Sequence, residues 1–137
     1  MKFIKSKKEC EYIISKERRQ VICVMNGTKY GFTSFINQLD QCGNDLFKYV
    51  MPSTFIGVAT CAPEDKWDEQ LGKDIAYAKA AEKYNKSFFK RAQTYTDDMD
   101  TMLNDIVNKI NKYGDQVRHC QETRREWLQG RIEQNIK

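Results

Sequence analysis

A heptad pattern in the last third of the chain is the feature that most restricts its fold. Apolar side chains recur there at alternating spacings of four and three residues through three repeats. These positions, here called the heptad ridge, are Met99, Leu103, Ile106, Ile110, Tyr113, Val117 and Cys120. The next position in register is Arg124, and apolar residues then continue at a spacing of four, at Leu128, Ile132 and Ile136. The pattern predicts a long C-terminal helix with a narrow apolar stripe.

The length of this helix indicates what must cover the stripe. A helix over residues 97–135 is about 58 Å long at a rise of about 1.5 Å per residue, which is too long for one small sheet to cover. We therefore expect the heptad ridge to be an oligomer seam between two copies of the chain, paired either parallel or antiparallel. Gly114 lies inside the pattern and offers an alternative, a helical hairpin that folds at this glycine within one chain.

The first 61 residues are typical of β-structure. A β-branched run over residues 20–25 ends at Asn26-Gly27, a dipeptide suited to the two positive-φ positions of a type I′ turn. We therefore predict a hairpin at Asn26-Gly27, with residues 28–33 as its second strand. The sheet is expected to have about four antiparallel strands. Its further candidate strands are residues 11–14, reached through a charged turn at 16–19, residues 46–51 and residues 54–61.

Residues 63–84 have the pattern of a helix that covers this sheet. Pro63 suits a first helical position, and an apolar stripe at helical spacing follows it. The stripe is Trp67, Leu71, Ile75 and Ala78. Small residues make one side of the helix slim, which lets the helix and sheet backbones approach closely; they are Gly72, Ala76 and Ala80. Residues 85–96 either continue this helix or form a basic, aromatic connection.

These patterns predict a single α+β domain over residues 1–137, mainly β over 1–61 and mainly α over 62–137. A small N-terminal antiparallel sheet is covered by a helix, and long C-terminal helices follow. No apolar run reaches the roughly 18 residues that cross a bilayer, and no secretory signal is recognisable. Five cysteines without C-x-x-C spacing favour a reducing cytoplasm over a disulfide framework or a zinc site. We therefore expect a cytoplasmic protein.

The residues give little support to catalysis. The one histidine, His119, lies within the predicted helix beside Cys120, with no glycine elbow near it. Carboxylates four residues apart, such as Glu64 and Asp68, are common in first helical turns without any catalytic role. The glycines are isolated, so no phosphate-binding loop is predicted. We expect no catalytic residue, no metal site and no cofactor.

The net charge of +4 is distributed in alternating segments. Residues 1–21 have a net charge of +4, residues 97–115 of −3, and residues 116–137 of +2. A duplex-binding protein is expected to concentrate its basic residues on one face or arm. The alternation therefore argues against nucleic-acid binding, which stays an alternative for the basic N-terminal arm.

A group of basic residues near the far end of the heptad ridge is the best candidate for ligand binding. Here called the C-terminal arginines, they are Arg118, Arg124 and Arg125. Guanidinium groups bind phosphate in a bidentate manner, while aromatic rings stack on nucleobases. Arg91 is a further candidate for phosphate binding, and Tyr95 or Phe88 for stacking on adenine. The same arginines, interspersed with glutamates, are also compatible with a merely solvated helix face.

The junction of the two halves carries a family resemblance. The segment Gly57-Val58-Ala59-Thr60-Cys61-Ala62-Pro63-Glu64-Asp65-Lys66-Trp67-Asp68, with the alanine-rich stretch at 71–80, resembles the strand-to-helix block of small phage proteins. In that block a strand ends in Cys-x-Pro-x-Asp, and an aromatic residue, an Asp and a glycine precede the helix. With a small sheet before it and long helices after it, the chain resembles the first class of Thoeris anti-defence proteins.

The resemblance implies a function and an assembly. Proteins of that class are made by phages and sequester a cyclic ADP-ribose signal nucleotide, which prevents activation of the bacterial immune effector. The expected partners are therefore a nucleotide of this type and further copies of the chain, with nucleotide pockets between subunits. The resemblance assigns no ligand residue of the family to a numbered position of this sequence. An alternative function is a small inhibitor that docks its seam on a helix of a host protein.

Overall fold

A computed structural model describes residues 4–39 and 46–136. Its elements in chain order are a 3-10 helix (Lys7–Glu9), β1 (Glu11–Ser15), β2 (Gln20–Asn26), α1 (Gly31–Leu39), a second 3-10 helix (Leu46–Tyr49), β3 (Thr54–Thr60) and α2 (Glu69–Ile136). The fold is α+β, as predicted. Two compact units are present, Met1–Tyr95 and Thr96–Lys137. Cys42 lies outside the described residues, within which Cys10, Cys23, Cys61 and Cys120 are free thiols.

Within the described residues the sheet has three antiparallel strands in the order β1-β2-β3, rather than about four. The predicted strands at 11–14, 20–25 and 54–61 are confirmed, and the charged turn at 16–19 joins the first two. Arg19 supplies the left-handed position of that turn, with φ +54°. Its guanidinium donates to the Cys61 thiol sulfur and to the Ala62 carbonyl, at 3.0 and 3.1 Å, and also to the Asp65 carbonyl. These contacts hold a non-glycine residue in a conformation that glycine normally fills.

The predicted hairpin at Asn26-Gly27 is wrong. A type I′ turn needs positive φ at both central residues, whereas only Gly27 has it here, at +75°. Asn26 instead ends β2 opposite Thr54, so β2 already has β1 and β3 as its two neighbours. Thr28 then anchors the chain through its hydroxyl, which donates to the Pro52 carbonyl at 2.5 Å. The chain proceeds into α1 over residues predicted to be a strand.

The predicted strand at residues 46–51 is also wrong. This segment forms the 3-10 helix Leu46–Tyr49 and then an irregular stretch. Tyr49 and Met51 are both buried, and the Met51 backbone N–H donates to the Lys29 carbonyl at 2.9 Å. Tyr49 and Met51, two of the apolar residues that suggested a strand, are thus buried from a non-strand backbone, whereas Phe47 is exposed.

Helix α2 is longer and begins later than the sequence indicates. Pro63 lies in the loop before it, and the Asp68 carboxylate accepts a hydrogen bond from the Leu71 backbone N–H at 3.1 Å, as a residue just before the helix often does. The open question over residues 85–96 resolves as helix. The helix continues through Gly114, so the alternative of a hairpin folding there is wrong. One helix, α2, takes the place of the covering helix and the C-terminal helices that were predicted separately.

One face of the sheet packs on α2 through alternate residues of β2 and β3. The buried residues of β2 are Val21, Cys23 and Met25. On α2 the contact is made by Ala76 and Ala80, which are fully buried. This confirms the slim helix side predicted from its alanines, whereas the apolar stripe predicted for this helix does not cover the sheet, because Leu71, Ile75 and Ala78 are exposed. At the free edge of β3, Lys79 and Lys83 of α2 donate to the carbonyls of Val58 and Ile56 at 3.0 and 2.7 Å, which occupies acceptors that an edge strand otherwise exposes.

Candidate functional site

The heptad ridge is exposed over most of its length. Ile110 and Tyr113 are 62% and 69% exposed, while Met99 at its start is half-buried. The exposed apolar surface also includes residues that the sequence analysis did not assign to the ridge. These are Met102, Val107, Trp127, Leu128, Ile132 and Ile136. An apolar surface of this extent on a charged helix is typical of a surface that another chain covers.

The C-terminal arginines lie on the same helix in the second unit, and all three are exposed. Arg118 forms an ion pair with Asp115, at 3.4 Å between its Nη2 and the carboxylate. Because both side chains are largely in solvent, this pair contributes little to stability. Arg118 can therefore exchange Asp115 for another anion at little cost.

Shallow grooves run along this part of α2. The first is lined by His119, Cys120, Thr123, Arg124 and Trp127. A neighbouring groove is lined by Tyr113, Gln116, Val117, Cys120, Gln121 and Arg124. Every described lining residue comes from the one helix, so within the part of the chain that the structure describes neither groove has an opposite wall. Cys120 and Arg124 belong to both, which places the centre of this surface where the heptad ridge meets the arginines.

The predicted stacking residues belong to the first unit, whereas the C-terminal arginines belong to the second. Phe88 and Tyr95 pack edge-on against Phe32, with ring centroids 5.3 and 6.0 Å away. Tyr95 also contacts Tyr49 at 5.2 Å. Both rings are half-buried in the aromatic part of the core. Arg91 donates from Nη1 to the Ser87 hydroxyl at 3.0 Å. The first unit thus holds Phe88, Arg91 and Tyr95 in its own packing.

The Cys-x-Pro-x-Asp segment has a structural role that the sequence analysis missed. It presents the Cys61 sulfur and the Ala62 and Asp65 carbonyls to the guanidinium of Arg19. A cavity of about 180 Å³ lies beside it, bordered by the end of β3, by Trp67 and by the first turns of α2. Among residues 4–39 and 46–136, two buried donors of this corner, Arg19 Nε and Trp67 Nε1, have no hydrogen-bond partner. The signal in the sequence was the turn at 16–19, which contains no glycine. A residue other than glycine in the left-handed conformation of such a turn needs contacts from its side chain to hold it there.

Thiol and phenol groups cluster where the N-terminal segment packs on α2. The Tyr77 hydroxyl donates to the Lys5 carbonyl at 2.6 Å, and the Tyr12 hydroxyl to the Lys7 carbonyl at 3.0 Å. Burial raises the pKa of the Cys10 thiol to about 12, and the neighbouring Cys23 adds to the shift. Burial likewise raises the pKa of Tyr12 and of Tyr77 above the ordinary phenol value. Cys10 is therefore protonated at neutral pH and is a poor nucleophile.

This cluster predicts a loss of stability in alkaline solution. In the unfolded chain Cys10 ionises near 9.0 and Tyr12 near 10.0, whereas both keep their protons to higher pH when folded. Above about pH 9 the unfolded state therefore binds fewer protons, and the free energy of unfolding must fall as pH rises. Urea denaturation at a series of pH values from about 8 to 11 measures this slope. A Cys10→Ala variant should show a shallower slope, and a free energy of unfolding that is constant over this range would contradict the prediction.

Comparison of the chain with known protein families, with curated proteins and with solved structures finds no match. Among residues 4–39 and 46–136, no group of three or more His, Cys, Asp and Glu side chains is placed to hold a metal ion. In the same part of the chain, no helix combines the length and apolarity needed to span a bilayer.

Proposed function

We propose that this protein binds a cyclic ADP-ribose-type signalling nucleotide and sequesters it without cleaving it. In this role it acts as a phage anti-defence protein in the cytoplasm of the host cell, where it withdraws the signal that activates bacterial immunity. Sequestration needs no catalytic group, only tight binding and enough protein to lower the free nucleotide concentration. The proposal rests on the resemblance over residues 57–80 and on the chemistry of the C-terminal half of α2.

The observation that supports binding is the position of the C-terminal arginines on an exposed surface of α2, where the shallow grooves are open on one side. Three guanidinium groups within eight residues offer bidentate donors for the two phosphates of such a nucleotide. Arg124 lines both grooves, and Trp127 adds an indole on which a base can stack. Trp127 is a better candidate for stacking than Phe88 or Tyr95, whose rings are engaged in the core of the first unit.

The second support is the exposed heptad ridge, through which we propose that the chain self-associates. A groove on a single helix becomes an enclosed pocket only when a second chain supplies the other wall. Pairing of two copies along the ridge supplies that wall beside the C-terminal arginines. The proposal therefore needs at least a dimer.

Titration calorimetry against isomers of cyclic ADP-ribose tests the proposal. We expect at least one isomer to bind and to be recovered unchanged after the protein is denatured. The double variant Arg118→Glu/Arg125→Glu should bind about 100-fold more weakly, since a hydrogen bond to a charged group contributes about 1.5–3 kcal/mol. Lys8→Glu/Arg18→Glu makes the same charge change on exposed residues of the first unit and should leave affinity unchanged. Absence of heat with every isomer, or a converted ligand, would contradict the proposal.

A second candidate function, inhibition of a host protein, is also supported by the exposed ridge. An amphipathic helix can dock its apolar face in a groove of another protein. This function predicts a monomer in isolation, whereas sequestration as proposed here predicts at least a dimer. Size-exclusion chromatography with light scattering separates the two.

A further inference from the structure

Arg124 interrupts the apolar register of α2 at one position. It follows Cys120 by four residues and precedes Trp127 by three, so it occupies a place in the heptad pattern that an apolar residue normally takes. A polar residue at such a place favours the orientation and register that give it a partner. We infer that residues 96–127 pair antiparallel with the same segment of a second copy, with Arg124 opposite the partner's Met99 and its guanidinium beside the adjacent Asp100 of the partner subunit.

The inference deepens the self-association proposed above, on which it rests, and it does not depend on nucleotide binding. It specifies which residues meet and therefore which chain closes the grooves. A parallel dimer would overturn the inference and leave the proposed function standing. A monomer would overturn both the inference and the dimer that sequestration requires.

The seven residues of the heptad ridge and Arg124 form a row of eight positions. Only one antiparallel register places each of these eight residues opposite another of the eight. In a two-fold pair, contacts are reciprocal, so residue i meets residue j of the partner and j meets i. The two-fold axis then lies between positions 111 and 112. The resulting layers pair Ile110 with Tyr113 of the partner subunit, Ile106 with the partner's Val117, Leu103 with the partner's Cys120, and Met99 with the partner's Arg124.

The charges of the segment favour this orientation. Residues 97–105 contain four aspartates and no basic residue, whereas residues 109–125 contain five basic residues and two acidic ones. Antiparallel pairing brings the acidic stretch of one copy alongside the basic stretch of the other, and it also opposes the two helix macrodipoles. Parallel pairing would place four aspartates beside the same four aspartates, and Arg124 opposite Arg124 of the partner subunit. Like charges in contact oppose association.

Space near the centre of the segment fits the same register. A Cβ atom added to Gly114 would meet nothing within 4 Å, so the described fold gives no reason for a glycine in mid-helix. In the antiparallel pair, Gly114 lies beside the partner's Val107, a bulky residue that is exposed here. The absence of a side chain at Gly114 leaves room for that valine. This offsets the cost of a glycine inside a helix.

Disulfide trapping tests the orientation directly. Leu103 lies opposite the partner's Cys120, so a Leu103→Cys variant should form two symmetric interchain disulfides on mild oxidation. Non-reducing gels should show a covalent dimer, and peptide mapping should link positions 103 and 120. The wild type should not link Cys120 to Cys120 of the partner subunit, because these lie in different layers of the antiparallel pair.

Ile110→Cys is the matched control. In a parallel pair position 110 faces itself and would crosslink readily, whereas in the antiparallel pair it faces the partner's Tyr113 and would not. A crosslink between two copies of position 110, or between two copies of Cys120, would overturn the inference. So would a Leu103→Cys variant that stays uncrosslinked while light scattering shows a dimer.

A charge exchange tests the contact between Arg124 and the partner's Asp100. Asp100→Arg and Arg124→Asp should each weaken the dimer by about 10-fold, because each places like charges together. The double variant restores opposite charges and should return the dissociation constant to within about 3-fold of the wild type. Sedimentation at low salt measures all four proteins. Additive losses in the double variant would overturn the contact.

Discussion

Replacing Gly57 by alanine is expected to destabilise the first unit strongly. An added Cβ would lie 2.0 Å from the Ala76 carbonyl oxygen and 2.6 Å from the Ala80 backbone nitrogen. Both atoms are backbone of α2, so relief requires the helix and β3 to separate. Overpacking of this kind costs about 3 kcal/mol or more. That lowers the melting temperature by at least about 12 °C for a unit of this size.

Gly130→Ala is the matched control for this substitution. It makes the same chemical change in α2, the helix on which Gly57 packs, but at a position with open space around it. Since alanine is the better helix former by about 1 kcal/mol, the melting temperature should stay the same or rise slightly. Circular dichroism melts of both variants provide the comparison. A native melting temperature for Gly57→Ala would contradict the close approach of β3 to α2.

That close approach was half predictable from the sequence. The small residues of α2 indicate a helix side that comes near a sheet, and Ala76 and Ala80 are indeed fully buried there. Which strand residue they meet was not predictable, because this depends on the register of β3 against the helix. Gly57 belongs to the segment that carries the family resemblance, and the structure gives it a packing role.

The errors at Asn26-Gly27 and at residues 46–51 have a common physical origin. Local turn chemistry suggested that β2 should pair with the residues directly after it. Instead, β2 pairs with β3, which lies farther along the chain. All seven residues of β2 have a partner in β3, whose buried and exposed residues alternate. The intervening residues Phe32 and Ile36 are spaced four apart and are both buried, a helical signal that the hairpin pattern masked.

The candidate site was predictable where it depends on one helix and unpredictable where it depends on packing. The heptad ridge and the C-terminal arginines follow from periodicity and charge alone, and the structure leaves most of them exposed. Trp127 lies three residues after Arg124 and therefore continues the register of the heptad ridge. Leu128, four residues after Arg124, fits a second apolar spacing, and this spacing hid Trp127. Phe88 and Tyr95 were expected to face a ligand. Their engagement in the core depends on α1, a helix the sequence analysis did not predict.

Introducing two charges into the heptad ridge is expected to convert the protein to a monomer. Ile106→Glu/Ile110→Glu places four carboxylates in the centre of the proposed pair, since each copy contributes two. Burying unpaired charges costs several kcal/mol, which raises the dissociation constant by at least about 100-fold. Light scattering over a range of concentrations measures the shift. The first unit contains neither residue, so its near-ultraviolet circular dichroism should remain native.

The control for this variant adds the same charges to the opposite face of the same stretch of α2. Asn104→Glu/Asn108→Glu lies outside the ridge on exposed positions, so it matches the ridge variant in added charge and in its place along the helix. It should retain the dimer, because solvent remains around both carboxylates. Equal dissociation in the two variants would show that net charge, rather than burial of the ridge, controls association. A wild-type protein that is monomeric at all concentrations would refute the proposed pairing outright, because the exposed ridge would then have no second copy to cover it.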